Sequence, residues 1–384
     1  MVSLLKSIKA HNDKVWNINS HPTLPLLATA STDKTSKIFK LSSLQNFPQL
    51  TVLEDTHKRS IRAIEFKPTV KNSADPSFVD LPALALGSFD STISIWGIDE
   101  PSNIDLIDES EISNHEVELL TNASNEWNLI AIIEGHENEI KSVSWNWSGK
   151  YLASCSRDKT IWIWETDSET LEEFECICVL NDHGQDIKHV TWHPTKNILA
   201  SSSYDDTIRI YKQDVDDDDH WSTIGILNGH EGTVWCSKFE NPDSPMSKEN
   251  RIRLVSVSDD LTVRIWSSED KENEEASELP SSIKHRSEEL VWELDCILPT
   301  AHSYPIYSVS WSDKTGKIAT CGSDGLIVIY KEVSDGNWEI ENMKEASHGV
   351  YEVNSIIWAN TIEGDEILIT AGDDGYINFW EVQG

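Results

Sequence analysis

The chain has 384 residues, with 31 Lys or Arg against 66 Asp or Glu, so its formal net charge is −35. A charge of this size repels phosphate backbones over long range and excludes unspecific binding to nucleic acid as an expected function. Six cysteines, the absence of an export signal and the absence of an apolar run of about 18 residues favour a reduced, intracellular protein outside the membrane.

One spacing recurs along the whole chain. An Asp lies six residues before a large aromatic residue at Asp33/Phe39, Asp90/Trp96, Asp158/Trp164, Asp205/Tyr211, Asp260/Trp266, Asp324/Tyr330 and Asp374/Trp380. Each Asp follows a His, in the order His11, His57, His136, His183, His230, His302 and His348. Four of these His-to-Asp separations are identical, at 22 residues. Copies in phase from end to end predict a repeat architecture that forms a single domain over residues 1–384.

The third copy, from Gly135 to Trp164, shows the content of one unit. Ile140 to Trp145 and Tyr151 to Cys155 are short runs with β-branched and aromatic residues, separated by turn residues. The run 160–164 is apolar on both faces of the pleat, as in a strand whose sheet is covered on both sides. A Gly-His pair, β-rich runs and an Asp turn are typical of a four-stranded blade of the WD-repeat type. Seven copies therefore predict an all-β, seven-bladed WD-repeat β-propeller.

The two ends of the chain are predicted to close this ring. Ser3 to Ile8 has the pattern of an outer strand with no inner partners before it, whereas the last copy ends at 379–382 with only three strands. We therefore expect the N-terminal strand to pair with the C-terminal blade, which removes an open sheet edge. In such a blade the His precedes the innermost strand and the Asp lies between the second and third strands. Both positions fall on one face, called the top face below.

Five longer connections are predicted on the opposite, bottom face. Three follow the third strand of a blade, and two join the first and second strands: Ile98 to Glu126, Asp214 to His220, Ser267 to Glu289, Thr69 to Leu81 and Asn241 to Asn250. Their polar and acidic composition, including the four Asp at 216–219, predicts solvated or disordered loops. A docking site for a basic partner is the alternative.

The His–Asp pairs are predicted to be structural ties within each blade. Each His is expected to donate to the Asp carboxylate, and equivalent copies cannot all be active sites. The ties of the three central blades are His136–Asp158, His183–Asp205 and His230–Asp260. No Ser or Cys is spaced for a catalytic triad, and no Gly-rich phosphate loop or His-Glu-x-x-His motif occurs. We expect no catalytic residues, no metal site and no cofactor.

Cys176 and Cys178 are the one pair of cysteines with a spacing that suits a metal. In a regular outer strand both sulfurs would face the same side and could supply two ligands, with Cys155 and Cys236 in neighbouring blade strands. There is no second motif of this kind, so the two cysteines are expected to act as small buried hydrophobic residues.

The top face carries the clearest binding signal. The fifth residue after the His, or the middle residue of the Asp turn, is cationic at four places: Arg62, Lys141, Arg157 and Lys188. Aromatic residues at equivalent positions flank these cations: Phe89, Tyr204 and Trp235. Cations beside aromatics predict a protein-binding surface for an acidic or carboxylate-ended peptide. In the alternative, the charges only neutralise nearby carboxylates, such as Glu137, Glu139 and Asp186.

Several stretches are more specific than the general repeat pattern. They are AIIEGHENEIKSVSW (131–145), LASCSRDKTIWIWETD (152–167), DIKHVTWHP (186–194), LASSSYDDTIRIY (199–211), LNGHEGTVW (227–235) and SHGVYEVN (347–354). Over essentially the whole chain, with the bottom-face insertions as the main departures, the sequence resembles the WD-repeat subunit of the cytosolic iron–sulfur protein assembly (CIA) machinery.

The resemblance implies a non-enzymatic adaptor, a monomer on its own, that acts in the late transfer of Fe–S clusters to cytosolic and nuclear apoproteins. Implied partners are a small cysteine-bearing adaptor subunit, a HEAT-repeat scaffold subunit, an iron-only-hydrogenase-like carrier protein and the client apoproteins. The family's functionally important top-surface Arg of the third blade corresponds to Arg157. The family subunit is not expected to hold the cluster itself.

A WD-repeat adaptor of another complex, in chromatin or transcription, is the alternative function. Basic histone tails would prefer an acidic opening, so the four cations count against it. The chain also departs from the general pattern, because only its third and fifth blades have Gly-His and no third strand ends in Trp-Asp. Without a Trp-Asp-x-Arg box there is little reason to propose a cullin-ligase receptor.

Overall fold

The computed structural model describes residues 1–70, 79–99, 114–214, 220–269 and 290–383. Over these residues the chain forms seven four-stranded antiparallel sheets, arranged as the blades of a β-propeller. The predicted fold class and blade number are confirmed.

Each blade runs from an innermost strand at the central channel to an outer strand at the rim. The first blade contains β2 (Val15–Ser20), β3 (Leu26–Ser31), β4 (Ser36–Lys40) and β5 (Gln49–Leu53). The second contains β6 (Ile61–Phe66), β7 (Ala83–Ser88), β8 (Thr92–Ile98) and β9 (Trp127–Glu134). The third contains β10 (Ile140–Trp145), β11 (Tyr151–Ser156), β12 (Ile161–Thr166) and β13 (Phe174–Leu180). The fourth contains β14 (Ile187–Trp192), β15 (Ile198–Ser203), β16 (Ile208–Gln213) and β17 (Trp221–Leu227).

The remaining three blades follow the same order. The fifth contains β18 (Val234–Phe239), β19 (Arg251–Ser258), β20 (Val263–Glu269) and β21 (Trp292–Ile297). The sixth contains β22 (Ile306–Trp311), β23 (Ile318–Gly322), β24 (Ile327–Ser334) and β25 (Asn337–Lys344). The seventh contains β26 (Val353–Asn360), β27 (Glu366–Gly372), β28 (Tyr376–Val382) and β1 (Val2–Lys9). A short helix, α1 (Asn114–Leu120), precedes β9.

The hydrophobic core lies between the blades. Seven clusters of buried side chains each join one blade to the next. Second strands such as β11 are buried at every residue, because a neighbouring blade covers each face of the sheet. Outer strands such as β13 are only partly buried. Aromatic pairs add to this packing, as between Trp192 and Trp221, whose ring centroids lie 5.2 Å apart.

The N-terminal strand closes the ring, as predicted. β1 pairs antiparallel with β28 from Val2 opposite Val382 to Lys9 opposite Tyr376. The terminal ammonium group of Met1 also donates to the carbonyl of Gln383 at 2.6 Å. The last sheet therefore has its fourth strand, and β28 is not left as an open edge.

A buried ionic link joins the fifth and sixth blades. The guanidinium of Arg253 in β19 donates to Glu240 at 2.7 Å and to both carboxylate oxygens of Glu332 in β24 at 2.9 Å. These three side chains are at most 2% exposed. One cation thus compensates two buried carboxylates, so that removal of Arg253 leaves both of them without a counter-charge.

The insertions lie in the predicted connections, but part of the loop prediction is wrong. In the first insertion, α1 packs Val117 and the 4% exposed Leu120 against the core between the first two blades. The apolar spacing of three residues within one helical turn allows this contact. Residues Ser267–Glu269 belong to β20 rather than to a loop. Between β18 and β19, Ser244 is buried within consecutive turns. Residues 71–78, 100–113, 215–219 and 270–289 of the insertions, among them the four Asp at 216–219, lie outside the described residues.

α1 is a single short helix, and no helix in the described ranges has the length and apolar character needed to cross a membrane.

Candidate functional site

The top face of each blade is held by a hydrogen-bond network around the repeated His. Nδ1 lies 2.8 Å from the Asp carboxylate in His136–Asp158, His183–Asp205 and His230–Asp260. The other four pairs have separations of 3.0–3.2 Å. Because an ionised carboxylate only accepts, Nδ1–H is the donor in these bonds.

A hydroxyl group on the far side of the ring completes the network. In the third blade, Nε2 of His136 lies 2.8 Å from Oγ of Ser154, and the indole N–H of Trp164 donates to the same Oγ at 3.0 Å. In the second, fifth and seventh blades the indole N–H of the Trp makes the equivalent contact, to Ser94, Ser256 and Thr370. The sequence analysis missed the hydroxyl, although a Ser or Thr four residues before the Asp recurs in most blades.

The Asp also organises its own turn. Asp158 accepts the backbone N–H of Glu137 at 3.0 Å, and the backbone N–H and hydroxyl of Thr160 at 2.9 and 2.5 Å. Although partial burial opposes it, the hydrogen bonds from His136 and Thr160 lower the pKa of Asp158 to about 2. The turn that carries Arg157 is therefore fixed by an ionised carboxylate.

Arg62, Lys141, Arg157 and Lys188 come together on the top of blades two to four. Lys141 and Arg157 share Glu139 with a further cation, Arg59, which the sequence analysis missed. Arg59 could have been found from its position on the top face, two residues after His57 in the connection that enters β6. These five residues are called the cationic patch: Arg59, Arg62, Lys141, Arg157 and Lys188.

Glu139 connects three members of the patch. Its Oε1 accepts from Arg59 at 2.7 Å, and its Oε2 accepts from Lys141 at 2.8 Å. Arg157 lies 3.9 Å from the same carboxylate. Although burial opposes it, the hydrogen bonds from Lys141 and Arg59 lower the pKa of Glu139. This carboxylate spaces the cations and orients Lys141.

Arg157 is the exposed member of the patch that lacks a close carboxylate among the described residues. Its side chain is 57% exposed, and its two carboxylate neighbours, Glu139 and Asp186, are both 3.9 Å away. By contrast, Lys141 and Lys188 are 15% and 12% exposed and pair with Glu139 and Asp186 at 2.8 and 3.5 Å. Neutralisation, the alternative for this patch, therefore describes the two lysines better than Arg157.

Aromatic rings support the cations from the side. The ammonium of Lys141 lies 4.3 Å from the ring centroid of Phe89. Lys188 lies between Tyr204 and Trp235, at 5.0 and 5.3 Å from their centroids. Cation–π contacts of this length favour a fixed position of the cation. Tyr204 is itself 54% exposed, and its backbone N–H donates to the backbone carbonyl of Asp186, whose carboxylate lies 3.9 Å from Arg157.

The opposite half of the top face is acidic. The indole N–H of Trp235 donates to Asp259 at 2.5 Å, and Tyr307 donates to Glu352 at 3.2 Å. Asp373 pairs with Lys14 across the junction of the last and first blades. The top face is thus cationic over blades two to four and acidic over blades five to seven.

Below this rim, the innermost strands line a central channel. Arg62, Lys141 and Lys188 lie near its mouth, with Glu65 and His189 on the same walls. The backbone N–H of Trp145 donates to Glu65 at 2.9 Å, and burial raises the pKa of Glu65 to about 7.

The expectation that Cys176 and Cys178 face the same side is wrong. A β-bulge in β13 lies between them, so that Trp164 faces Cys176 while Ile163 faces Cys178. Cys176 packs in the core towards the second blade, and Cys178 packs in the core towards the fourth. Across the described ranges, no group of three or more His, Cys, Asp or Glu is placed to hold a metal ion.

The chain matches a known protein-family model, "WD domain, G-beta repeat", at residues 2–40, 127–165, 174–212, 221–267 and 294–331. Each match begins with the outer strand of one blade and extends into the third strand of the next. The structure shows the same architecture in the second and seventh blades, of which the family model matches only the outer strand.

Curated relatives match over the full length. A protein of Candida dubliniensis is 62% identical over 384 residues, covering 100% of both chains. One of Scheffersomyces stipitis is 64% identical over 386 residues, covering 99% of this chain and 100% of the relative. One of Vanderwaltozyma polyspora is 44% identical over 387 residues, covering 99% of both. All three are named "Probable cytosolic iron-sulfur protein assembly protein 1". This chain therefore belongs to the cytosolic iron-sulfur protein assembly protein 1 family of WD-repeat propellers.

Proposed function

We propose that this propeller is a non-catalytic scaffold in cytosolic iron–sulfur protein assembly, and that its cationic patch binds an acidic segment of a partner or client protein. The observation that carries the binding site is Arg157, which is 57% exposed and has no carboxylate closer than 3.9 Å among the described residues. Its turn is fixed from below by Asp158.

The surroundings of Arg157 support a protein-binding surface. Tyr204 is 54% exposed, and Tyr and Arg are the residue types that contribute most at protein interfaces. Lys141 and Lys188 are already oriented by Glu139 and Asp186, so little side-chain entropy is lost when a partner binds. An arginine fork suits a carboxylate, so an acidic or carboxylate-ended peptide fits this surface.

The family supports the cellular role. We propose that the chain acts at the late step, in which Fe–S clusters reach cytosolic and nuclear apoproteins. Its proposed partners are a small cysteine-bearing adaptor subunit, a HEAT-repeat scaffold subunit and an iron-only-hydrogenase-like carrier protein. The proposed locations are the cytoplasm and the nucleus. The relatives' names support the assembly process, and the patch supplies the contact surface.

Replacement of Arg157 by Glu tests the proposal. Arg157→Glu reverses the exposed charge without touching the core, so the fold should be kept and the capture of carrier and client proteins from cell extract should fall at least about tenfold. Lys331→Glu is the matched control, since it makes the same charge change at an exposed position of β24. Capture that is equal for Arg157→Glu and wild type would overturn the assignment of the patch.

The salt dependence of the same interaction gives a second readout. Contacts of exposed charges weaken as the Debye length falls from about 10 Å at 0.1 M to about 3 Å at 1 M salt. We expect capture by wild type to decrease steeply over this range and capture by Arg157→Glu to change little. A salt-independent interaction would contradict an electrostatic role for the patch.

A further inference from the structure

Three cations lie at one level of the central channel. Arg62 in β6, Lys141 in β10 and Lys188 in β14 occupy equivalent positions, the second residue of the innermost strand in three consecutive blades. All three line the same cavity, below the exposed side chains of Arg157 and Tyr204. Burial, together with the charges of Arg62 and Lys188, lowers the pKa of Lys141 despite its bond to Glu139. The cations are thus close enough to repel one another.

Arg62 is the cation without compensation. Lys141 pairs with Glu139 and Lys188 pairs with Asp186, but Arg62 has no carboxylate partner in the part of the chain that the structure describes. Its one hydrogen bond is long, 3.5 Å from Nη1 to the carbonyl of Trp16, and its guanidinium lies 5.1 Å from the Trp16 ring centroid. Burial lowers the pKa of Arg62 to about 10, so that it remains charged at neutral pH. Arg62 is partly buried, and a charge held away from water without a counter-charge is costly.

Two further polar groups near Arg62 also have no partner. Nδ1 of His189, which follows Lys188 in β14 and lines the channel, is buried without a hydrogen bond among the described residues. The indole N–H of Trp16, whose ring packs on Arg62, is buried without an acceptor in the same set. Buried polar groups are ordinarily paired, and the guanidinium and the indole both need an acceptor.

We propose that the mouth of the central channel binds a small free oxyanion of the phosphate or sulfate class, held by the fork of Arg62 together with Lys141 and Lys188. A tetrahedral oxyanion offers enough acceptor oxygens for the guanidinium fork and two ammonium groups at once. Arg62, Lys141 and Lys188 also belong to the cationic patch, but this site lies inside the channel that they line, inward of the exposed rim around Arg157. It extends the function of the propeller to the binding of a small molecule.

The one carboxylate in β6, that of Glu65, does not pair with Arg62, and this favours an oxyanion as the partner of the guanidinium. Glu65 lies three residues after Arg62 in β6, and its carboxylate accepts from the backbone of Trp145 rather than from the guanidinium. Glu65 therefore leaves the fork of Arg62 open towards the mouth of the channel.

Titration with inorganic phosphate tests the site. Wild-type protein should bind phosphate saturably, measured by isothermal titration calorimetry and by broadening of the ³¹P signal, at constant ionic strength with chloride as the balancing anion. Arg62→Met should weaken this binding at least about tenfold, because hydrogen bonds between a charged fork and an anion are lost. Lys34→Met is the matched control: it removes an exposed positive charge from the top turn of the first blade and should leave the affinity within about twofold.

Several outcomes would overturn the proposal. They are the absence of saturable phosphate binding to wild type, binding of chloride as strong as that of phosphate, and an equal loss of phosphate affinity in Arg62→Met and Lys34→Met. If Arg62→Met does not fold, Arg62→Lys keeps the charge but loses the fork, and unchanged phosphate affinity in that variant would equally refute the role of Arg62. Capture of an acidic partner that persists while phosphate does not bind would reject this site and leave the rim assignment standing.

Discussion

The turn at Asp158 offers a direct test of how the top face is held together. Asp158→Ala removes four hydrogen bonds, from His136, from the backbone of Glu137 and from both donors of Thr160. Asp324→Ala makes the same change in the sixth blade. Asp324 accepts from His302 and from two backbone N–H groups, but Leu326 stands where the third blade has Thr160, so that no hydroxyl donates.

The two sites are otherwise closely matched. Their carboxylate side chains are 10% and 12% exposed, and each His is at most 1% exposed. Loss of a charged acceptor costs about 1.5–3 kcal/mol for each buried donor left unpaired, with incomplete additivity, so Asp158→Ala should cost about 3–4 kcal/mol. Asp324→Ala should cost about 1 kcal/mol less, the net contribution of one hydrogen bond. Thr160→Val, which removes the hydroxyl alone, should account for that difference.

Equilibrium unfolding in urea, followed by tryptophan fluorescence, measures these free energies, and unchanged m-values would show that the denatured states are comparable. Two results would refute the reasoning: a loss in Asp158→Ala below about 1 kcal/mol, or a loss in Asp324→Ala as large as in Asp158→Ala. Either result would mean that the packing between blades, and not the hydrogen bonds of the turn, determines stability at the top face.

Three other predictions concern the core, the channel and the ring closure. Arg253→Met should lower the free energy of unfolding by about 3–5 kcal/mol in the same assay, because Glu240 and Glu332 stay buried without a counter-charge. Adding Glu240→Gln and Glu332→Gln to this variant should recover much of the lost stability. If stability is not recovered, the ionic explanation is contradicted. Burial raises the pKa of Glu65 in the folded protein to about 7, from an ordinary value of 4.5. The contribution of Glu65 to stability is therefore fully present below pH 4.5, and it is lost as the pH rises from there through about 7. Wild type should therefore lose stability relative to Glu65→Gln as the pH rises over this interval, and parallel pH profiles of the two proteins would exclude the shift. Deletion of residues 2–9 should expose β28 as an edge and cause self-association, detected by size-exclusion chromatography with light scattering; a monomer with unchanged stability would show that β1 is dispensable for closure.

Much of the top face could be predicted from the sequence because its geometry repeats. Arg62, Lys141 and Lys188 have the same spacing from their His residues, and strand alternation then places them on one face at one level. Arg157 follows from its place beside Asp158. The exposure of Arg157 and the pairing of the two lysines could not be predicted, because they depend on side chains from several blades.

The features that the sequence analysis missed involve contacts across long chain separations or local irregularities. Arg59 meets Glu139 from a position 80 residues away, and no spacing rule connects the two. The separation of Cys176 from Cys178 depends on a single β-bulge, which breaks the two-residue alternation of a regular strand.

The sequence by itself determined the number of blades, the closure of the ring by the first strand and the face on which the cations lie. These properties follow from short, periodic spacings, which the alternation of strands converts directly into position. Only the tertiary structure decided which charges are compensated, because the carboxylates that neutralise Lys141 and Lys188 leave Arg62 unpaired in the channel and Arg157 exposed at the rim. Compensation depends on distances of a few ångströms between side chains, and a linear spacing carries no information at that scale.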